Sequence, residues 1–377
     1  MKAGILTLPL HTNYGGILQA FALQQVLEKF GLDVYVLHHT WEKEKIPTSL
    51  FLKRTIKNII KFLVKDHNTI IFPERYLKKY SNIFSKNTDK FILCNIRTLN
   101  LDNLKECENY KFDVIIVGSD QIWRPQYFKS MWEQPIENAY LSFIGSGRKI
   151  KKIAYACSFG CDSWEYDEKE TLLCKSALKD FSLISVRESA GIRMIKDHFD
   201  INAKHVLDPT MLIAREEYEK LIGDPSLKNH FAFSYILDNN KEIGQIINEI
   251  SADKKLEIRE SRISPVIKRG ELKSNIAIPI EEWLRNIRDA KLVITDSFHA
   301  CVFSIIFNTP FVVVGNVRRG QSRFASLLKM FGLESHLVEK LEDYDPKESY
   351  HLSGIVQTRL KTLRSESLTL LKNALNF

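Results

Sequence analysis

AGILTLPLHTNYGGILQAFALQQVLEKFGLDVYVL, residues 3–37, decides the fold. Ala3–Pro9 is a short, mostly apolar run. A polar, glycine-bearing turn follows, His11-Thr12-Asn13-Tyr14-Gly15-Gly16. From Ile17 to Phe30, apolar residues fall at 17, 18, 21, 22, 26, 27 and 30, which is helical spacing. Gly31 stands where such a helix needs its C-cap. Asp33–Leu37 then resumes as a second strand. Strand, helix and strand in this order form a βαβ unit, the connection of parallel strands.

The alternation continues outward from this unit. Asp113–Val117, Lys152–Cys157 and Leu183–Val186 read as buried strands, with a helix from Glu188. A short strand, Val206–Leu207, ends in Asp208-Pro209-Thr210. The composition resets around residues 205–225. Strands at Phe231–Leu237, Leu256–Ile258, Leu292–Thr295 and Phe311–Val314 then alternate with helices at Lys241–Ala252, Glu281–Asp289 and Cys301–Phe307. A last helix runs from about Gln357 to Leu375. The expectation is an α/β protein of two Rossmann-like domains, residues 1–208 and 209–350, the first carrying a basic helical insertion at about 41–110. Residues 351–377 should pack back on the first domain. Open parallel sheets bind ligands beyond the carboxyl ends of their strands, so two facing halves would enclose a cleft.

Bulk composition agrees. A chain of 377 residues holds two or three domains at ~150 residues each. It is 44% hydrophobic and 27% charged, with 16 Gly and 11 Pro, which excludes collagen-like, disordered and low-complexity classes. The net charge of +8 favours anionic partners. Its basic residues are not interleaved with aromatics as in a nucleic-acid module, so no nucleic-acid partner is expected. Of the six cysteines, none forms a CxxC pair; Cys157 and Cys161 are four apart with no His-x-x-x-His partner. No metal site is expected, and the thiols read as reduced, in a cytoplasmic protein. MKAGILTLPL is short for a signal peptide and lacks a small-residue cleavage site. Ala300–Val317 is uncharged, but Asn308-Thr309-Pro310 breaks it into a helix and a strand rather than a membrane span. Residues 50–65, LFLKRTIKNIIKFLVK, place Lys53, Lys57, Lys61 and Lys65 every fourth residue among Ile56, Ile59, Ile60 and Leu63. Such a basic amphipathic helix can lie on the anionic inner face of a membrane; a scaffold helix with a solvated lysine stripe is the plainer reading.

The strand ends carry the chemistry. Asn13, Tyr14, Gly15 and Gly16 open a helix whose free N–H groups suit an anion and whose glycines let backbone approach a ligand. Ser119 and Asp120 follow Gly118; Asp120 can orient or deprotonate a hydroxyl, or either residue can cap a helix. Arg187 ends the strand Leu183–Val186, where a guanidinium suits a carboxylate or phosphate and could equally pair with Glu188. Asp296, Ser297 and His299 follow Thr295, placing an imidazole in the first turn of a very apolar helix. Arg318, Arg319 and Arg323 form a basic cluster after Phe311–Val314.

Together these pieces resemble the polysaccharide pyruvyl transferase family. The matching segments are TNYGGILQAFALQQVLEKFG (12–31), DVIIVGSDQIW (113–123), IAYACSFG (153–160), ISVRESAG (184–191), VLDPTML (206–212), VITDSFHACVFSIIFNTPFVVV (293–314) and RFASLLKMFGL (323–333). The resemblance implies a GT-B-type arrangement with the active site between domains. It implies transfer of pyruvyl from phosphoenolpyruvate to sugar hydroxyls of surface glycans, often as a ketal, on a glycan or lipid-linked saccharide acceptor. No cofactor is implied; phosphoenolpyruvate is the donor substrate. The family's strand-end arginine matches Arg187, implied to hold the donor, and its histidine after a Thr-Asp pair matches His299, implied as general acid. Many members carry arginine two residues before that histidine; Ser297 stands there instead, and Arg319 or Arg323 is the candidate substitute. Two other functions share these features: a GT-B glycosyltransferase using a nucleotide-sugar, and a non-catalytic glycan-binding relative.

Overall fold

The computed structural model describes residues 1–39, 48–64, 71–72, 84–145, 149–223, 230–238, 240–261, 277–315 and 321–376. Two open sheets organise them, and every strand pairing is parallel. The first sheet has β1 (Lys2–Leu6), β2 (Asp33–His38), β3 (Thr98–Asn100), β4 (Val114–Val117), β5 (Lys151–Cys157), β6 (Phe181–Val186) and β7 (Lys204–His205), in the order β3-β2-β1-β4-β5-β6-β7. The second has β8 (Phe231–Tyr235), β9 (Glu257–Glu260), β10 (Leu292–Thr295), β11 (Phe311–Val314) and β12 (Leu337–Val338), in the order β12-β11-β10-β8-β9. Central strands such as β4, β10 and β11 are buried at every residue, as strands covered on both faces require. The two α/β domains expected from the sequence are therefore present.

Helices cover both sheets. The first domain carries α1 (Tyr14–Lys29), α2 (Thr48–Val64), α3 (Lys86–Asn95), α4 (Pro125–Trp132), α5 (Glu168–Leu178) and α6 (Ser189–Met194). With the second go α7 (Arg215–Ile222), α8 (Lys241–Asp253), α9 (Ile280–Asp289), α10 (Phe298–Phe307) and α11 (Gln321–Phe331). The last helix, α12 (Gly354–Leu375), touches β6 of the first sheet and α10 and α11 of the second. The strand expected at Val206–Leu207 forms two residues earlier, as β7. Strands β3 and β12 were not expected, being too short to show a period.

The halves are not loosely apposed. One apolar cluster runs from Ile5 and Ile17 of the first domain through Tyr14 and Leu207 to Trp283 and Phe303 of the second. The outer face of each sheet has a separate cluster, with Trp123 and Trp132 in one and Ile246 and Ile294 in the other. Tyr14 lies at the seam: its ring packs on Trp283 and Tyr235, 5.3 and 6.0 Å between centroids, and its hydroxyl donates to the Ile278 carbonyl at 2.8 Å. Interdomain contacts that are small and polar permit hinge motion; this one is apolar and continuous with both cores.

Each sheet reverses direction once. In the first the strand order turns between β1 and β4, in the second between β8 and β10. Crevices for ligands open at such switch points, beyond the carboxyl ends.

The shared core predicts a single cooperative transition in urea, coincident by tryptophan fluorescence and circular dichroism. Trp283→Ala should cost about 3–5 kcal/mol and Tyr14→Phe about 1 kcal/mol. Two resolved transitions would contradict the shared core.

Candidate active site

At the first switch point, Asn13 and Asp120 face one another. Asn13 occupies the N-cap position of α1 without capping it; its Nδ2 donates instead to Asp120 Oδ2 at 3.1 Å. Asp120 follows β4 with φ at 63°, the left-handed region that costs a non-glycine residue energy. Its carbonyl accepts the Ser158 N–H at 3.1 Å, fixing the turn against the end of β5. Neither Ser119 nor Asp120 caps α4, whose N-cap is Arg124.

Arg187, at the end of β6, is enclosed by side chains rather than open to a ligand. It is 3% exposed, and its Nη1 donates to Asp208 Oδ2 at 2.8 Å and to Ser119 Oγ at 3.2 Å. Its Nη2 donates to Asp120 Oδ1 at 3.4 Å, and its guanidinium lies 4.6 Å from the Phe298 ring centroid. Glu188, the alternative partner, stands 3.7 Å from Nε, and its Oε1 accepts the Phe159 N–H at 2.9 Å. An arginine this committed folds with its network, so replacing it disturbs folding as well as any ligand.

Asp208, given no role from sequence, is the hub. Its Oδ2 accepts from Ser119 Oγ at 2.8 Å and from Arg187, while Oδ1 accepts from the Thr210 N–H and hydroxyl at 3.0 and 2.7 Å. Burial alone would raise its pKa. Interaction with His299, Arg187 and Thr210 outweighs burial and holds the carboxyl far below the usual carboxylate range. The readable signal was an aspartate ending a strand before Pro209-Thr210, which resembles an ordinary turn.

His299 comes from the other domain, in the first turn of α10. Its Nε2 lies 3.7 Å from Asp208 Oδ2, close enough for charge interaction but beyond a hydrogen bond. That nitrogen is buried and, among the described residues, has no hydrogen-bond partner. The imidazole sits on Gly15: a Cβ there would stand 1.9 Å from Nδ1. Only glycine allows the N-termini of α1 and α10 to meet in this way. A Cβ on Gly16 would crowd Asn13 Nδ2 at 3.0 Å and Asp120 Oδ2 at 3.2 Å.

The remaining expected site residues divide. Asp296 is spent on backbone: its two oxygens accept the N–H groups of Leu237 and Asp238 at 2.7 and 3.0 Å, closing the second switch point. Ser297 is the N-cap of α10, accepting from the Ala300 N–H at 3.5 Å. These two and Tyr14 build the scaffold under His299. Arg319 lies outside the described residues, as does Arg318. Arg323 is buried on α11, a helix tied to α6 by the Ser189 N–H donating to Ser326 Oγ at 3.0 Å. Burial, then the neighbouring charge of Arg187, pushes the Arg323 guanidinium down to about 10. Asp208, Asp120 and the nearby Glu188 surround the Arg187 guanidinium, and Arg323 adds a second buried guanidinium within its electrostatic reach. Among the described residues, no group of three or more His, Cys, Asp or Glu could hold a metal ion.

The family model for polysaccharide pyruvyl transferase matches residues 13–317. A search of the curated proteins finds no match. Among solved structures, the UDP-GlcNAc 2-epimerase of Methanocaldococcus jannaschii superposes with a TM-score of 0.50 at 12% identity, over 97% of this chain and 99% of that one. The spinosyn rhamnosyltransferase SpnG gives 0.46 at 10% identity over 100% of both chains. The likeness to the epimerase is one of fold: two open, parallel-sheet α/β domains in a GT-B-type arrangement.

Asp208→Asn leaves the buried Arg187 charge short of its main partner and should cost about 3–5 kcal/mol. Because the folded carboxyl is held low, its stabilisation is present above the unfolded pKa of about 4 and is lost as pH falls towards the folded value. The urea midpoint should therefore drop on acidification below about pH 4, and less steeply in Asp208→Asn. Parallel acid limbs in the two proteins would remove Asp208 from the hub.

Proposed function

This chain belongs to the polysaccharide pyruvyl transferase family and is a transferase, and we propose that it moves pyruvyl from phosphoenolpyruvate to a sugar hydroxyl, closing a ketal on a surface glycan. The observation that carries this reading is the His299–Asp208 pair set beside the buried Arg187 and Arg323. Phosphoenolpyruvate bears a carboxylate and a phosphate on an electron-rich enol ether. Two guanidiniums and two helix N-termini match the two anionic groups. Arg323 supplies the cation that Ser297 does not.

In this reading His299 delivers the proton from Nε2 to the methylene carbon, leaving C2 oxocarbenium-like. Asp208 stabilises the imidazolium that gives up the proton. The donor carboxylate replaces the longest of the hydrogen bonds that Arg187 donates, the 3.4 Å bond to Asp120. Asp120, released from that cation, takes the proton of the sugar hydroxyl as its oxygen bonds to C2. A second hydroxyl then attacks C2, its proton returning to His299 Nε2 as its C–O bond forms, and phosphate leaves with the proton that Asp120 held. The acceptor is a glycan or lipid-linked saccharide, and the cytoplasm is the site of action.

Calorimetric titration with phosphoenolpyruvate tests the donor, and acceptor-dependent phosphate release tests the reaction. His299→Ala should slow transfer by roughly 100- to 10,000-fold while changing donor affinity little. Arg323→Ala should weaken donor binding by about ten- to a hundredfold. Binding of a UDP-sugar with none of phosphoenolpyruvate would replace this reading by nucleotide-sugar glycosyl transfer.

A further inference from the structure

Helix α2 is amphipathic, yet it is mounted with its apolar side outward. Ile56, Ile59, Ile60, Leu63 and Val64 are 55, 37, 56, 66 and 72% exposed. They fall at i, i+3, i+4, i+7 and i+8, a single stripe along the helix. Thr55, Asn58 and Phe62, on the other side by their spacing, are the half-buried ones, and Asn58 Nδ2 donates to the Ile71 carbonyl at 3.4 Å. Helix α8 does the reverse, burying Ile243, Ile246, Ile247 and Ile250 against its sheet. A contiguous aliphatic stripe left in water marks a surface that something covers.

The charge of the helix says what covers it. Thr48–Val64 contains Lys53, Arg54, Lys57 and Lys61 and no acidic residue. Lys57 is exposed, next to Ile56 on the edge of the stripe. A second copy of the chain, meeting the first across a two-fold axis, would set this cationic helix against itself. A shaped protein groove selects aromatic anchors; every exposed side chain of this stripe is aliphatic. An aliphatic stripe with a cationic flank matches the boundary between anionic headgroups and acyl chains. No described helix is long and apolar enough to cross a membrane, so the contact is with the surface.

We propose that α2 docks the protein on an anionic bilayer, lying in the plane of the surface with Ile56, Ile59, Ile60, Leu63 and Val64 at the acyl boundary and the exposed Lys57 at the phosphate level. This docking is independent of the identity of the donor. It would hold the enzyme where saccharides carried on lipid are presented.

The test is co-sedimentation of the full chain with vesicles of phosphatidylcholine, alone or mixed with phosphatidylglycerol. The wild type should partition onto the mixed vesicles, and binding should weaken as salt is added. Lys53→Glu/Lys57→Glu/Lys61→Glu should lower partitioning by about a hundredfold or more. Ile56→Ser/Ile60→Ser should lower it by at least about tenfold. Circular dichroism should show the wild-type helix content and melting temperature in both; Ile56, Lys57 and Ile60 are exposed. Wild type that stays in the supernatant, or binds both vesicle types equally, overturns the proposal. So does an unchanged partition of either variant. A wild-type dimer in analytical ultracentrifugation that Ile56→Ser/Ile60→Ser dissociates would assign the stripe to a second copy instead.

Discussion

The carboxylate of Asp208 is the point on which the centre of this molecule depends. It is fully enclosed, and it is the principal partner of an equally enclosed guanidinium, that of Arg187. Withdrawing both charges from water is costly, and their attraction offsets that cost only where the surrounding hydrogen bonds are complete. Ser119 and Thr210 complete the set around the carboxylate. The same oxygen that receives Arg187 and Ser119 faces His299 from the other domain. One atom thus joins the ends of β4 and β6 and the segment after β7 to the first turn of α10.

That junction exists only while the domains are docked, and the docking comes from ordinary packing. The cluster through Tyr14, Tyr235, Trp283 and Phe303 sets the distance between α1 and α10. Gly15 then lets the His299 ring rest on the helix N-terminus. In the proposed reaction, that rigid placement serves His299 as general acid with Asp208 as its partner. The apolar seam links sequence to chemistry: substitutions there act on the site without touching it.

The two α/β domains were legible because hydrophobic periodicity and the Gly31 C-cap act locally. Arg187, His299 and Asp120 were legible as polar residues at strand ends, where the crevice rule directs attention. Their partners were not. Asp208 sits in an Asp-Pro-Thr sequence that reads as a turn, and its role arises from contact with residues far along the chain. Asp296 and Tyr14 show the converse: residue type at a strand end does not reveal that the side chain is already taken by backbone amides or a carbonyl. In α2 the periodicity revealed an apolar face; which face meets the body is a tertiary fact. Arg323 stands beside Arg187 through the packing of α11 on α6, which spacing does not encode.

The central claim is that His299 and Asp208 act as one unit across the domain seam. A double-mutant cycle on the rate of acceptor-dependent phosphate release from phosphoenolpyruvate tests it most directly. The variants are His299→Ala, Asp208→Asn and the two combined, each assayed well below its melting temperature. Groups that act together are non-additive: the double variant should be no slower than the slower single variant. Losses that multiply, the double variant being slower by the product of the two single effects, would contradict the account.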